Sequence, residues 1–115
     1  MKVAIVSLTA EEQENIVCTA FEGGISYWCV SAEAMHENKG GDGYCPEGWA
    51  WSLFLTDECA DDDVTVQTLD AESLLKGIQI CLEKYPWHVN LDGDFDAGDA
   101  DAIVQCAVLG DVIYG

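Results

Sequence analysis

The charge of this chain limits how it can fold. Its 115 residues include 22 Asp or Glu but only four Lys or Arg, and the formal net charge is −18 at pH 7. Like charges repel one another in a compact structure, so folding requires a substantial apolar core. Half of the residues are apolar, and a chain of this length can bury such a core as a single domain. We therefore expect one domain spanning residues 1–115.

Nothing in the sequence predicts a membrane or secreted location. No apolar run approaches the roughly 18 residues that a membrane-spanning helix requires. The first residues, MKVAIVSLTAEE, continue directly into acidic positions without the small-residue cleavage site of a secretory signal. These features predict a soluble, cytoplasmic protein.

Six cysteines are present, and no two of them form a C-x-x-C pair. Most lie in apolar periodic segments, where a thiol behaves as a small buried hydrophobic group. His36 and His88 do not stand at zinc-finger spacing from any cysteine pair. The pattern favours reduced, structural cysteines over disulfides or zinc ligands.

The N-terminal half predicts strands around one helix. Lys2–Leu8 is a β-branched, apolar run typical of a strand. The following TAEE motif is a capping box, in which Thr9 caps a helix and Glu12 reaches back to it. The glycine pair after Phe21 should end that helix. Aromatic and β-branched residues over 25–32 and alternating apolar residues over 49–55 predict two further strands.

The C-terminal half predicts a strand at 64–69 followed by two helices. Asp70 is a suitable N-cap for a helix over 71–85 that carries one apolar stripe. A last helix is expected over 97–109, capped by Asp96 and ended by Gly110. The predicted order β-α-β-β-β-α-α indicates an α+β domain, in which about three helices pack on one face of a mostly antiparallel sheet of three to four strands.

Five aspartates lie within DGDFDAGDAD, residues 92–101, a spacing that resembles a calcium loop. An EF-hand loop requires Gly at its sixth position and Glu at its twelfth. A loop starting at Asp92 places Ala97 and Ile103 there, and a start two residues earlier also lacks the turn. The stretch therefore predicts no bound metal, and a calcium-binding or generic acidic interaction module is kept as the alternative function.

Helix capping explains only part of this stretch. Asp96 and Asp99 fit the cap and the first turn of the last helix, where the free N–H groups favour carboxylates. Asp92, Asp94 and Asp101 have no comparable structural role in this interpretation. We therefore expect these three carboxylates to point outward.

The sequence offers little from which to build a catalytic centre. Nucleophile, zinc-protease and phosphate-loop motifs are all missing. With 22 acidic residues, some carboxylate pair will always resemble that of a glycosidase. The chain is therefore predicted not to be an enzyme and to need no cofactor, with a small hydrolase using a carboxylate pair as the second alternative. The aromatic residues Tyr27, Trp28, Trp49 and Trp51 are expected to fill the core rather than to stack on a ligand.

The net negative charge is the feature of the sequence that most directly suggests a function. Duplex DNA carries two charges per ~3.4 Å, so 18 charges correspond to about nine base pairs, on the order of 30 Å of duplex. A domain of this length is expected to be a little over ~30 Å across. Such a protein repels nucleic acid and anionic membranes but can occupy the DNA-binding groove of a basic protein. The residues predicted to bind that partner form three acidic clusters: Glu11, Glu12 and Glu14; Asp57, Glu58, Asp61, Asp62 and Asp63; and Asp92, Asp94 and Asp101.

Two segments, TAFEGGISYWC and DADAIVQCAVLGDVIYG, resemble stretches in small proteins of phages and prophages. In size and acidity the chain is similar to anti-CRISPR and anti-restriction proteins that act as DNA mimics. The resemblance implies an inhibitor in the cytoplasm of a host cell. Its expected partner is a basic DNA-binding subunit of a CRISPR or restriction complex, which it would block from recognising target DNA.

Overall fold

The computed structural model describes residues 7–35, 43–56, 64–89 and 95–114. Within these ranges, the helices are α1 (Ala10–Thr19), α2 (Ala71–Lys84) and α3 (Ala97–Leu109), and the strands are β1 (Cys29–Ala34), β2 (Ala50–Thr56) and β3 (Val64–Asp70). A π-helical turn, Ala20–Gly24, follows α1, and a 3₁₀ turn, Pro86–His88, follows α2. The predicted α+β class is confirmed.

The three strands form an antiparallel sheet in the order β1-β2-β3. The predicted strands over 49–55 and 64–69 match β2 and β3 within one residue at each end. Most of the predicted strand Lys2–Leu8 lies outside the described residues, and Ser7 and Leu8 have no strand structure.

The predicted strand over 25–32 was placed too early, because β1 begins only at Cys29. The residues before it form a turn in which the backbone N–H groups of Trp28 and Cys29 both donate to the Ile25 carbonyl, at 3.1 and 2.8 Å. The turn follows directly on the π-helical turn, so the chain is still changing direction where a strand was expected. A register shift between Cys29 and Ser31 then places Val30 in a bulge.

One face of the sheet is buried and the other is partly open. Leu53 and Leu55 on β2 are buried, as is Trp49 directly before the strand, and all three join the core cluster that includes residues of all three α-helices. On the opposite face Phe54 pairs with Val66, whose side chain is 51% exposed. This alternation follows the predicted period of two along the strand.

Helices α2 and α3 pack against each other at very close range. A Cβ atom added at Gly77 would lie 2.6 Å from the Cα and Cβ atoms of Ala107. Leu74, Ile78 and Ile103 are fully buried around this crossing. The small residue at position 77 therefore permits the contact on which this part of the core is built.

The helix ends follow the sequence closely. Thr9 and Glu12 form the predicted capping box, with hydrogen bonds of 3.1 and 2.8 Å. Asp70 caps α2 and Asp96 caps α3, each by accepting from the backbone N–H three residues later. Gly110 ends α3 in the left-handed conformation. None of the helices in the described ranges combines the length and apolar character needed to cross a membrane.

Candidate functional site

The acidic residues predicted to bind a partner fall into two groups. Seven of them lie outside the described residues: Asp57, Glu58, Asp61, Asp62, Asp63, Asp92 and Asp94. The other four are Glu11, Glu12, Glu14 and Asp101, and they differ sharply in what their carboxylates do. Glu11 is exposed on α1, whereas Glu12 belongs to the capping box.

Glu14 holds a distant segment of the chain against α1. Its carboxylate accepts hydrogen bonds from the backbone N–H groups of Tyr44, at 2.9 Å, and of Cys45, at 3.0 Å. Gly43 has a φ of +74°, and a Cβ atom there would lie 2.4 Å from Glu14 Oε1. The charge of Glu14 is therefore used to fix the approach to β2, a role that the sequence interpretation did not foresee.

The expectation that Asp101 points outward is wrong. Its carboxylate accepts hydrogen bonds from the Tyr27 hydroxyl at 2.5 Å, from Trp28 Nε1 at 2.6 Å and from Gln105 Nε2 at 2.8 Å. Hydrogen bonds to an ionised group are roughly twice as strong as those between neutral groups. Asp101 thus joins α3 to the turn before β1.

Gln105 extends this network to the C-terminal segment. Its side chain is fully buried, and its Oε1 accepts from the backbone N–H groups of Ile113 and Tyr114, both at 2.8 Å. Its Nε2 also donates to the Tyr114 carbonyl at 3.1 Å. The Tyr114 ring stacks on that of Trp28 at 5.7 Å between centroids. A buried amide is costly unless its donors and acceptors are bonded, and here both atoms are.

The segments TAFEGGISYWC and DADAIVQCAVLGDVIYG therefore meet in space. Tyr27 and Trp28 come from the first segment, and Asp101, Gln105 and Tyr114 come from the second. Burial and the hydrogen bond to Asp101 together raise the pKa of Tyr27 to about 12. The network is fully bonded, and its geometry supports a structural role.

Other acidic residues also take part in tertiary contacts. Asp99 Oδ1 lies 2.7 Å from His88 Nδ1, which ties the 3₁₀ turn to α3. Asp111 accepts from the Tyr85 hydroxyl at 2.7 Å and from Lys84 Nζ at 3.1 Å. These bonds and that of the Val112 N–H lower the pKa of Asp111 to about 2.

A further set of acidic residues is exposed on the surface of the described chain. The exposed acidic residues of the described chain are Glu11, Glu22, Glu33, Glu47, Glu72, Glu83 and Asp96. The two lysines in these ranges are both close to carboxylates, Lys76 at 3.9 Å from Glu72 and Lys84 at 3.1 Å from Asp111. The lysines of the described part of the chain are thus confined to α2, and the exposed charged residues elsewhere in these ranges are acidic.

A small cleft lies beside β1. Its volume is about 330 Å³, and Phe21, Ile25, Cys29, Tyr44 and Trp51 contribute its apolar walls. The Phe21 ring stands edge-to-face to both Trp51, at 5.0 Å, and Tyr44, at 5.5 Å. Of the four aromatic residues expected in the core, Trp28 and Trp49 are buried. The expectation is wrong for Tyr27, which is 53% exposed, and Trp51 is only half-buried and lines this cleft.

The described cysteines are free thiols, and four of the five are buried. Burial raises the pKa of Cys29 and raises that of Cys45 to about 12. Buried thiols with raised pKa values are poor nucleophiles.

Among residues 7–35, 43–56, 64–89 and 95–114, no three His, Cys, Asp or Glu side chains are grouped so that they could hold a metal ion. No family model, curated protein or solved structure matches this chain.

Proposed function

We propose that this chain is an acidic inhibitor that binds the DNA-contacting surface of a basic protein in place of DNA. The observation that carries the proposal is the net charge of −18 on 115 residues, with four lysines and no arginine. A surface of this kind attracts basic proteins over long distances and releases their bound anions, as DNA does.

The dimensions allow the charge of the chain to be compared with that of duplex DNA. The chain measures 45 × 35 × 22 Å, with a radius of gyration of 13.7 Å. Duplex DNA 45 Å long carries about 26 charges at roughly 1.7 Å per charge. The chain therefore has about two-thirds of the charge of an equally long duplex, which is less than the equal density expected from its length alone.

The contacts of the described acidic residues indicate which carboxylates are available to bind a partner. Carboxylates such as those of Glu14 and Asp101 already accept internal hydrogen bonds. Exposed acids, including Glu11 and Glu33, and the acidic runs at 57–63 and 92–94 are the groups that we propose contact the partner. The resemblance to anti-CRISPR and anti-restriction proteins makes a DNA-binding subunit of such a complex the first partner to test.

The experiment begins with capture of partners from a host that carries these defence systems, followed by mass spectrometry. The captured protein is then tested for competition between this chain and duplex DNA at several salt concentrations. We expect competition that weakens steeply as salt rises, because counterion release drives both interactions. Binding that leaves DNA binding unaffected would contradict mimicry.

Three variants locate the binding charges. One neutralises residues 57, 58 and 61–63, a second neutralises Asp92 and Asp94, and a third replaces Glu11, Glu33, Glu47 and Glu83 by Gln. Asp101 is left unchanged, because its loss would disturb the fold and be mistaken for lost contact. We expect at least one variant to bind more weakly, with a shallower dependence of log affinity on log salt. If all three bind like the parent at physiological salt, the proposal is wrong.

A further inference from the structure

The cleft beside β1 has a largely apolar lining, and the acidic residue Glu22 follows its wall residue Phe21 in the chain. At about 330 Å³, it lies at the lower end of the roughly 300–1,000 Å³ that ligand sites occupy. A space of this size suits one inserted side chain rather than a whole cofactor. What kind of side chain it accepts depends on the walls and on the charges around them.

The walls are held in place by hydrogen bonds. Trp51 Nε1 donates to the Tyr44 carbonyl at 2.8 Å, and the Glu14 carboxylate accepts a hydrogen bond from the Tyr44 backbone N–H at 2.9 Å. Trp51 itself is part of β2. The aromatic surfaces are therefore preorganised, which lowers the entropy lost when a group binds between them.

The surroundings of the cleft are negative. Glu22 follows Phe21 directly, is exposed, and accepts a hydrogen bond from Cys18 Sγ at 3.0 Å. Burial raises the pKa of Tyr44, and the nearby Glu22 and Glu14 carboxylates and the Cys18 thiol raise it further. The two described lysines lie beside Glu72 and Asp111 instead.

Aromatic rings near carboxylates that neither described lysine pairs with favour a cation. A guanidinium group stacks on aromatic rings, is weakly hydrated, and carries an apolar stem that can lie on the walls. An ammonium group is more strongly hydrated and gains less from this environment.

We propose that the cleft receives one arginine side chain of the basic partner, with its stem against Phe21 and Trp51 and its guanidinium between the Tyr44 ring and the Glu22 carboxylate. This inference rests on the proposed function and names an anchor for it. The arginine would add one contact of defined geometry to an interaction that otherwise depends on charge density.

The test uses short capped peptides rather than the unknown partner. Acetyl-Gly-Arg-Gly-amide is titrated into the ¹⁵N-labelled full chain, and the Trp51 indole N–H resonance is followed by NMR. This indole resonance is assigned by its absence from the spectrum of a Trp51→Phe variant. The same peptide with citrulline is a neutral isostere of the arginine peptide, and a leucine peptide tests for a purely apolar anchor.

We expect a saturable shift with the arginine peptide, with a millimolar Kd, and at least fivefold weaker binding of the citrulline peptide. Glu22→Gln should weaken the arginine peptide at least threefold. Glu72→Gln removes an exposed carboxylate on α2 that does not line the cleft, and it should leave the affinity for the arginine peptide unchanged. Equal binding of arginine and citrulline, tighter binding of leucine, or the lack of a saturable shift would each overturn the inference.

The result separates this inference from the proposed function. If the arginine peptide does not bind while the intact chain still competes with DNA for a basic protein, only the arginine cleft is wrong. If the peptide binds as expected but no captured protein competes with DNA, the cleft stands and DNA mimicry fails.

Discussion

Trp28 Nε1 donates a hydrogen bond of 2.6 Å to Asp101 Oδ1 across 73 positions of the sequence. This bond connects a turn near the N-terminal helix to the first turns of α3, and the Tyr27 hydroxyl shares the same carboxylate. An acidic residue that local spacing assigns to the surface is therefore a tertiary contact of the fold.

Replacing Asp101 by Asn should destabilise the protein. The substitution removes the charge that strengthens the bonds from Tyr27, Trp28 and Gln105, and it places an amide donor in a site at which three donors already point. We expect a loss of about 2 kcal/mol in the free energy of unfolding, within the range for hydrogen bonds to charged groups. Urea unfolding followed by fluorescence measures it, and Glu33→Gln should change stability by less than about 0.5 kcal/mol. Equal stability of the two variants would contradict the structural role.

Gly77→Ala should also be destabilising, although alanine is the better helix former by about 1 kcal/mol. The added Cβ would lie 2.6 Å from backbone and side-chain atoms of Ala107, so α2 and α3 must separate. Overpacking of this kind costs about 1–3 kcal/mol. The control is Gly98→Ala on α3, where the nearest atom is Asp96 Oδ1 at 3.3 Å. Thermal unfolding should show a lower Tm for the first variant and an unchanged or higher Tm for the second.

Asp111 should make the free energy of unfolding depend on pH in the acid range. Hydrogen bonds from Tyr85 and Lys84 lower its pKa in the folded state to about 2, below the value of about 3.9 typical of an unfolded chain. Its contribution is therefore fully present above the unfolded pKa and is lost as the pH falls toward 2. We expect Asp111→Asn to flatten the stability profile between about pH 4 and 2, measured by urea unfolding at each pH. An unchanged slope would contradict the assignment.

Cys18 should react slowly with alkylating reagents, and Glu22 should be a principal reason. The hydrogen bond to the Glu22 carboxylate, burial, and the charges of Glu22 and Glu14 raise the pKa of Cys18 to about 11. Because the thiolate is the reactive species, Glu22→Gln should speed iodoacetamide modification of Cys18 at pH 8 severalfold. Peptide mass spectrometry follows the site, and buried Cys81 serves as the internal reference. If the rate at Cys18 does not change, the carboxylate does not control it.

The parts of the fold set by local contacts were predictable from the sequence. Thr9, Asp70 and Asp96 cap helices through backbone groups three residues away, so spacing alone identifies them. The alternating apolar residues of β2 likewise depend on a period that the chain carries in one short segment. In these places local preference and tertiary structure agree.

The parts set by distant contacts were not predictable. Nothing near Glu14 in the sequence indicates that it binds the backbone of Tyr44, 30 positions later. The same holds for Asp101, and the start of β1 was misplaced because the turn that precedes it is joined to α3. A clue existed in Gln105, a polar residue within the apolar run of α3 that must find partners once buried.

Exposed apolar residues of the sheet affect how the protein should be handled in solution. Val30, in the bulge of β1, and Val66, on β3, are 61% and 51% exposed, and exposed apolar strands invite association between copies. Mutual repulsion at a charge of −18 opposes such association at low ionic strength. In 1 M salt the screening length falls to about 3 Å, so concentrated stocks should stay monodisperse longest in dilute, near-neutral buffers and lose this protection in high-salt crystallisation liquors.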